Sequence, residues 1–303
     1  MVAALTLALT GATGFVGAHL LDLALGQGDQ VRALTRRPQP PRDGVTWVEG
    51  ALDDREALAG LVDGADALIH VAGVITASDA AGFEAGNVAG TAAMIDAAER
   101  GGIKRFVHVS SLAAREPALS LYGASKARSE ALVGASRLSS AIVRPPAVYG
   151  PGDRETLELF KMAKRGLVVL PPAGKLSLIH VHDLARLLLA LAESDAALLV
   201  EPDDGRCGGW THREFGQALG RAVGRKVTTL SAPRVLLSLA ARADTWVRGP
   251  RAKLTRDRAA YFCHPDWTVS PDRAAPAGLW QPQIDTEAGL AATAQWYQAQ
   301  RWL

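Results

Sequence analysis

The 303-residue chain is long enough to bury one large core or two smaller ones. With 48% hydrophobic and 21% charged residues it has the balance of an ordinary soluble globular protein, and a net charge of +2 argues against a surface built for a polyanion. Its two cysteines, Cys207 and Cys263, make neither a disulfide framework nor a zinc-type cluster, and read as small semi-buried side chains.

The opening run MVAALTLALTGA is apolar but lacks the basic segment that begins a signal peptide. It leads directly into glycines, so Leu5–Thr10 reads as the first strand. Gly11, Gly14 and Gly17 follow, and an apolar helical pattern starts at once. Strand, tight glycine turn and helix together are the opening of a dinucleotide-binding βαβ unit. Glycine at the turn tolerates positive φ, and a glycine facing the ligand lets the backbone approach a pyrophosphate. A third glycine lets the helix sit close against the strand. The helix's free N–H groups and positive end would face the diphosphate. The spacing is GxxGxxG rather than GxGxxG, so the flanking strand and helix carry the reading as much as the glycines do.

Val31–Leu34 is a second strand, after the turn at Gly26–Gly28. Pro38, Pro40 and Pro41 mark a loop, Val45–Val48 is a third strand, and Asp53–Leu61 a short helix. Ala67–Val71 is apolar without alternation, as a strand covered by helices on both faces should be. Phe83–Arg100 is a long helix stopped by Gly101–Gly102; Arg105–Val109 is a strand, Tyr122–Ser136 a helix and Ala141–Val143 a strand. This alternation predicts an α/β, Rossmann-like, doubly wound parallel sheet. After Arg144 the alternation lapses among Pro145, Pro146, Pro151, Pro171 and Pro172. His180–Leu191 is a strand edge running into a helix, and Thr286–Gln300 is a final helix. The expected organisation is a nucleotide-binding domain over 1–150 and a smaller, mainly substrate-binding region over 151–303. Elements around 176–200 return to the first domain, and the ligand is expected in the crevice between the two. Leu184–Val200 is interrupted by Arg186, Glu193 and Asp195 too often to span a membrane. No membrane association is expected, and a cytoplasmic location is.

An acid at the end of the second strand would hold the adenosine ribose hydroxyls. Here the strand ends in the neutral Thr35, and Arg36 and Arg37 follow. Guanidinium groups there suit a 2′-phosphate, so NADP(H) is expected in preference to NAD(H), with Arg36 the nearer of the two to the strand end.

Tyr122 and Lys126 stand at i and i+4 on one helical face. A lysine ammonium beside a phenol favours the phenolate, and such a tyrosine can exchange a proton with a substrate oxygen while hydride moves to or from a nicotinamide. Ser110 and Ser111, at the C-terminal end of the strand Arg105–Val109, stand where ligands meet an open parallel sheet.

At this point the chain resembles the extended short-chain dehydrogenases/reductases, also called the NAD-dependent epimerase/dehydratase family. The resemblance runs nearly end to end, through TGATGFVG (Thr10–Gly17), HVAG (His70–Gly73), NVAGT (Asn87–Thr91), FVHVSS (Phe106–Ser111) and YGASK (Tyr122–Lys126). It continues through RPPAVYGPGD (Arg144–Asp153), IHVHDLA (Ile179–Ala185) and WYQAQRWL (Trp296–Leu303). It implies Tyr122 as catalytic acid/base, Lys126 as its pKa-lowering and ribose-binding partner, and Ser111 as the hydroxyl that polarises the substrate. It also implies cofactor contacts from Gly11, Thr13, Gly14, Phe15, Val16 and Gly17, and from Ala51, Leu52, Val71, Ala72 and Gly73. Pro145 and Val148 would approach the nicotinamide through backbone atoms, and Asn87 would brace the sheet. A homodimer is implied by the same analogy.

Three departures narrow the reading. Gly50-Ala51-Leu52 stands where many relatives carry an acid against the adenine, leaving Asp53 or Asp54 as substitutes. Leu112-Ala113 follows Ser111 where sugar dehydratases carry an Asp-Glu pair. Gly174–Leu178 lacks the arginine common in nucleotide-sugar enzymes and is similar instead to dihydroflavonol-reductase-like and hydroxysteroid-dehydrogenase-like members, whose substrates are apolar. The expected function is therefore an NADP(H)-dependent oxidoreductase interconverting a carbonyl and a secondary alcohol on a small, fairly apolar substrate. A nucleotide-sugar 4-epimerase with tightly held NAD is one alternative, and a non-catalytic nucleotide-sensing or assembly protein is another.

His180, His182 and Asp183 lie too close in sequence for a zinc site, and no metal is expected. The six basic residues of Arg242–Arg258 could receive an acidic substrate but read better as an exposed face. No aromatic platform beside them suggests nucleic acid. Trp246, Trp267 and Trp280 read as core of the smaller region, and Trp296, Tyr297 and Trp302 as the docking side of the last helix.

Overall fold

The computed structural model describes residues 4–249, 252 and 254–303. Contacts divide the chain into two compact units: 1–144 with 184–200 and 275–280, and 145–183 with 201–274 and 281–303.

The first unit alternates strand and helix. β1 (Thr6–Thr10), α1 (Phe15–Gln27), β2 (Gln30–Thr35), β3 (Val45–Glu49), α2 (Arg55–Val62) and β4 (Ala67–His70) come first. After β4 the expected single helix is broken into α3 (Ala80–Phe83), a wide π-turn over Glu84–Ala89, and α4 (Gly90–Arg100). β5 (Arg105–Val109), α5 (Leu121–Ala135) and β6 (Ser139–Val143) complete the main series. The second unit begins with β7 (Ala147–Tyr149), α6 (Leu157–Lys164), β8 (Leu167–Leu170), β9 (Lys175–Leu176) and β10 (Leu178–His180). α7 (Val181–Ala192) and β11 (Leu198–Val200) then carry the chain back to the first unit.

β11 completes a seven-stranded sheet in the order β3-β2-β1-β4-β5-β6-β11, parallel throughout. β4 and β5 are buried at every position, which explains why their sequences show no alternation. One core layer gathers Leu58, Leu61, Met94 and Phe106 beneath α2 and α4. Asp54 caps α2 by accepting from the backbone N–H of Glu56 and Ala57, so the carboxylate considered for the adenine is spent on its own helix.

The second unit continues with β12 (Trp210–Thr211), α8 (His212–Ala222), β13 (Thr228–Ser231), α9 (Arg234–Arg248), α10 (Arg256–Phe262), β14 (Asp266–Trp267) and α11 (Thr286–Ala299). Its small sheets, β10-β7, β12-β9-β14 and β13-β8, use strands too short to leave a periodic signature in sequence. A core around Tyr149, Phe160, Phe215, Leu290 and Tyr297 joins α6, α8 and α11. Thr211 and Glu214 form a reciprocal capping box that starts α8.

The tryptophans divide. Trp267 and Trp280 are buried, although Trp280 belongs to the first unit, whereas Trp246, expected in a core, is 88% exposed on α9. Cys263 is half-buried and Cys207, expected to be so, is exposed. No helix among the described residues is long and apolar enough to cross a membrane. Of the basic stretch singled out in sequence, Arg251 and Lys253 lie outside the described residues.

Candidate active site

The turn after β1 is shaped by its glycines. Gly11 adopts φ +76°, and a Cβ on it would lie 2.8 Å from the backbone nitrogen of Ala72, just beyond β4. A Cβ on Gly17 would stand 2.0 Å from the carbonyl oxygen of Gly11, so α1 can lie this close to its own turn only with glycine there. Gly14 differs: its Cβ would meet nothing nearer than the Gly11 oxygen, at 3.2 Å. Gly14 is also the N-cap of α1, with no side chain capping the first turn and no acid within it. The first-turn N–H groups around Phe15 and Val16 are thus left for an outside acceptor, and this donor set fits a dinucleotide diphosphate. Thr13 lies exposed in the same turn.

The neighbouring strand ends are stitched together by buried polar groups. Thr10, His70 and His108 lie in register across β1, β4 and β5. The Thr10 hydroxyl is 2.8 Å from His70 Nδ1 and accepts from the Ala72 N–H at 3.1 Å. This holds Val71–Gly73 against Gly11. Asn87, on the π-turn, accepts from the Val74 N–H at 2.6 Å and donates to the Val74 carbonyl and to Ser125, both at 2.9 Å. Asn87, expected to brace the sheet, ties the loop after β4 to α5.

α5 begins at a Ser120 cap and carries Tyr122, Lys126 and Glu130 at four-residue spacing. Ser111 hydrogen-bonds the Tyr122 phenol, so the end of β5 meets the start of α5 there. Burial pushes the phenol above its ordinary value while the Ser111 hydrogen bond pulls it down. The pKa-lowering pull expected of Lys126 is not among the causes of this balance. The Lys126 ammonium is buried and donates to the Val109 carbonyl at 2.7 Å. Burial lowers its pKa to about 8, against an upward pull from Glu130. It lies beside Gly73, whose Cβ would stand 3.7 Å from Nζ.

Glu130 and Arg144, to which the sequence assigned no role, join Ser110 in holding this arrangement. Glu130 accepts from the Ser110 hydroxyl at 2.5 Å and receives a forked ion pair from Arg144, at 2.9 and 2.6 Å. The Ser110 N–H also donates to the Val143 carbonyl at 2.7 Å. The ends of β5 and β6 are thereby pinned to α5, one residue from Ser111. The available signal was Glu130 itself, a third polar group on the Tyr122–Lys126 face. Beneath lie two stacked imidazoles, His70 and His108, with centroids 5.6 Å apart. Burial first, and the Lys126 charge second, lower His70 to about 3 and His108 well below its usual value, so both are neutral.

The remaining candidates have their own surroundings. Thr35 is buried and its hydroxyl donates to the Arg37 carbonyl, leaving the Arg36 and Arg37 side chains exposed just beyond β2. The Gly50 N–H donates to the Thr35 carbonyl, which sets Ala51 and Leu52, both half-buried, beside that strand end. Pro145 and Val148 belong to the second unit, where Val148 pairs with Ile179 across β7 and β10. His180 turns its Nδ1 to the His182 backbone N–H, a local junction at the start of α7.

The NAD dependent epimerase/dehydratase family matches residues 7–201. A ceramide reductase of Caulobacter vibrioides (strain NA1000 / CB15N) is 40% identical over 98% of this chain and 95% of its own length. A 3 beta-hydroxysteroid dehydrogenase/Delta 5-->4-isomerase of Mycobacterium tuberculosis (strain ATCC 25618 / H37Rv) is 29% identical, over 58% of this chain and 57% of that protein. Among solved structures, MoeE5 in complex with UDP-glucose and NAD aligns with a TM-score of 0.76 at 22% identity, covering 98% of this chain and 99% of that one. At that identity the likeness speaks for the fold.

Proposed function

The chain belongs to the NAD-dependent epimerase/dehydratase family, and from that premise we propose that it is an NADP(H)-dependent reductase of a ketone on a long-chain, ceramide-like lipid. It is an NAD(P)-dependent oxidoreductase of the extended short-chain type. When bound, the nicotinamide supplies or accepts hydride.

The observation that carries the reading is the Ser111–Tyr122 hydrogen bond at the end of β5, with Lys126 one helical turn further along α5. Burial keeps the proton on the Tyr122 phenol at neutral pH, the form that donates to a carbonyl oxygen as a ketone is reduced. Ser111 holds the same oxygen by a second hydrogen bond and polarises the carbonyl. Lys126, fixed by Val109, presents its ammonium beside Gly73, where a ribose hydroxyl can reach it. Arg36, exposed beyond a strand that ends without an acid, supports the preference for a 2′-phosphate. The Caulobacter relative covers nearly the whole chain, which favours an amide-linked long-chain substrate over a nucleotide sugar. Hydride chemistry at a ceramide's secondary carbinol carbon interconverts it with the ketone.

The test is NADPH oxidation by purified protein offered a long-chain 3-keto amide, a simple water-soluble ketone and a UDP-sugar. Turnover is expected with both ketones, faster with the long-chain one, and absent in Tyr122→Phe. Interconversion of the UDP-sugar without net NADPH consumption would replace the reading with epimerisation.

A further inference from the structure

α9 turns its apolar side outward. At 3.6 residues per turn Val235, Leu239, Ala243 and Trp246 share one stripe, with Leu236, Ala240 and Val247 beside it, and all seven are exposed. Val235 is 68% exposed and Val247 71%. The opposite side, Leu237, Ala241 and Asp244, is the one that is covered. A surface helix of a self-sufficient globular protein has the reverse arrangement. The apolar surface also continues along the chain. Val169 and Leu230 pair in register across β8 and β13, both exposed, and Ser231–Pro233 leads from there into α9.

Cations line the flank of this face. Arg234, Arg242 and Arg256, with Ser238, surround an open pocket of about 170 Å³ on α9 and α10. No carboxylate pairs with any of the three among the described residues, whereas Arg248 and Arg258 are paired, with Asp244 and Glu155. Asp244 also accepts from the Leu254 N–H, so it is engaged on the covered side.

We propose that α9 docks on the surface of an anionic phospholipid bilayer, its apolar face in the headgroup–acyl boundary and Arg234, Arg242 and Arg256 holding lipid phosphate. An apolar stripe with unpaired arginines at its edge matches the two layers that a bilayer presents in that order. A second copy of this chain would cover the stripe but would have to bring carboxylates to the arginine pocket. The helix lies in the interface rather than crossing it, so the expected absence of membrane association gives way to peripheral docking. The inference stands on α9 and its pocket and does not rest on the substrate reading; a lipid substrate would give the docking a purpose.

The experiment is flotation of the full chain with phosphatidylcholine vesicles, with and without phosphatidylglycerol, at low and high salt. Binding is expected on anionic vesicles, weaker on neutral ones and reduced by salt. The double variant Leu239→Asp/Trp246→Asp should lose flotation while keeping its melting temperature and NADPH binding. The triple variant Arg234→Gln/Arg242→Gln/Arg256→Gln should weaken partition to anionic vesicles by about fivefold per arginine and leave neutral vesicles unaffected. Failure of the wild type to float, or flotation retained by both variants, overturns the proposal. So does a dimer in vesicle-free solution that Leu239→Asp/Trp246→Asp dissociates, which would assign the face to a second copy. Each readout is taken without substrate, so a failed ketone assay leaves the outcome intact.

Discussion

The cluster at the ends of β5 and β6 and the outer face of α9 carry similar chemistry in opposite states of completion. Both contain arginines and aromatic rings. In the first, Arg144 is forked onto Glu130, Glu130 also takes the Ser110 hydroxyl, and Lys126 is committed to the Val109 carbonyl. In the second, three arginines have no carboxylate among the described residues and Trp246 stands in solvent. A buried charge without a partner is too costly to keep, so the cluster at the ends of β5 and β6 must be finished by the fold itself. An exposed one costs little, so the α9 face can be left for something outside the chain to finish.

That contrast can be broken at several points. The largest effect is expected from Tyr122→Phe, which should lower turnover by about two to four orders of magnitude while NADPH titration shows unchanged binding. Retained turnover would remove the proton donor from the mechanism. Glu130→Ala should destabilise the protein by about 1–3 kcal/mol in denaturant unfolding, because it removes the buried carboxylate that takes the half-buried Arg144 guanidinium and the Ser110 hydroxyl. The double variant Glu130→Leu/Arg144→Met should recover most of that loss, and equal instability of both variants would show that the ion pair is not the cause. Arg36→Ala should weaken NADPH binding about ten- to hundredfold, the value of one or two charge-assisted hydrogen bonds, and leave NADH binding unchanged. Equal weakening of both cofactors would sink the 2′-phosphate role.

A smaller effect concerns pH. His70 is held neutral, with a pKa near 3 against 6.5 in the unfolded chain, so the unfolded chain takes up the proton first as pH falls. The stability this group protects is complete above about pH 6.5 and is lost progressively toward pH 3. His70→Asn should flatten the stability–pH slope over that range by up to about 1.4 kcal/mol per pH unit. An unchanged slope would mean that His70 is not the titrating group. The smallest effect is expected on α9, where Trp246→Ala should change stability by no more than about 0.5 kcal/mol. A loss comparable to that of Glu130→Ala would show that α9 belongs to the protein's own core after all.

The local pieces are written in short stretches of neighbouring residues. Glycine spacing after β1, the uniform apolarity of β4 and the Tyr122–Lys126 step are each set within a few residues by backbone sterics, burial on two faces and helical pitch. For the same reason the parallel sheet was legible in the sequence, whereas the choice of Ser111 over Ser110 as partner of Tyr122 came only from the family resemblance. What those groups meet depends on segments that only folding brings together. Glu130 is an ordinary helical acid until β5 and β6 bring Ser110 and Arg144 to it from fourteen to twenty residues away. Asp54 is a free carboxylate on paper and a helix cap in the fold. Burial, not the nearby lysine, sets the direction of the Tyr122 shift, and burial is a property of the whole packed unit. Trp246 is the sharpest case. Composition makes a tryptophan a core residue by default, but which side of an amphipathic helix faces inward depends on what packs beneath it, and on α9 the inward side is that of Ala241, not of Trp246.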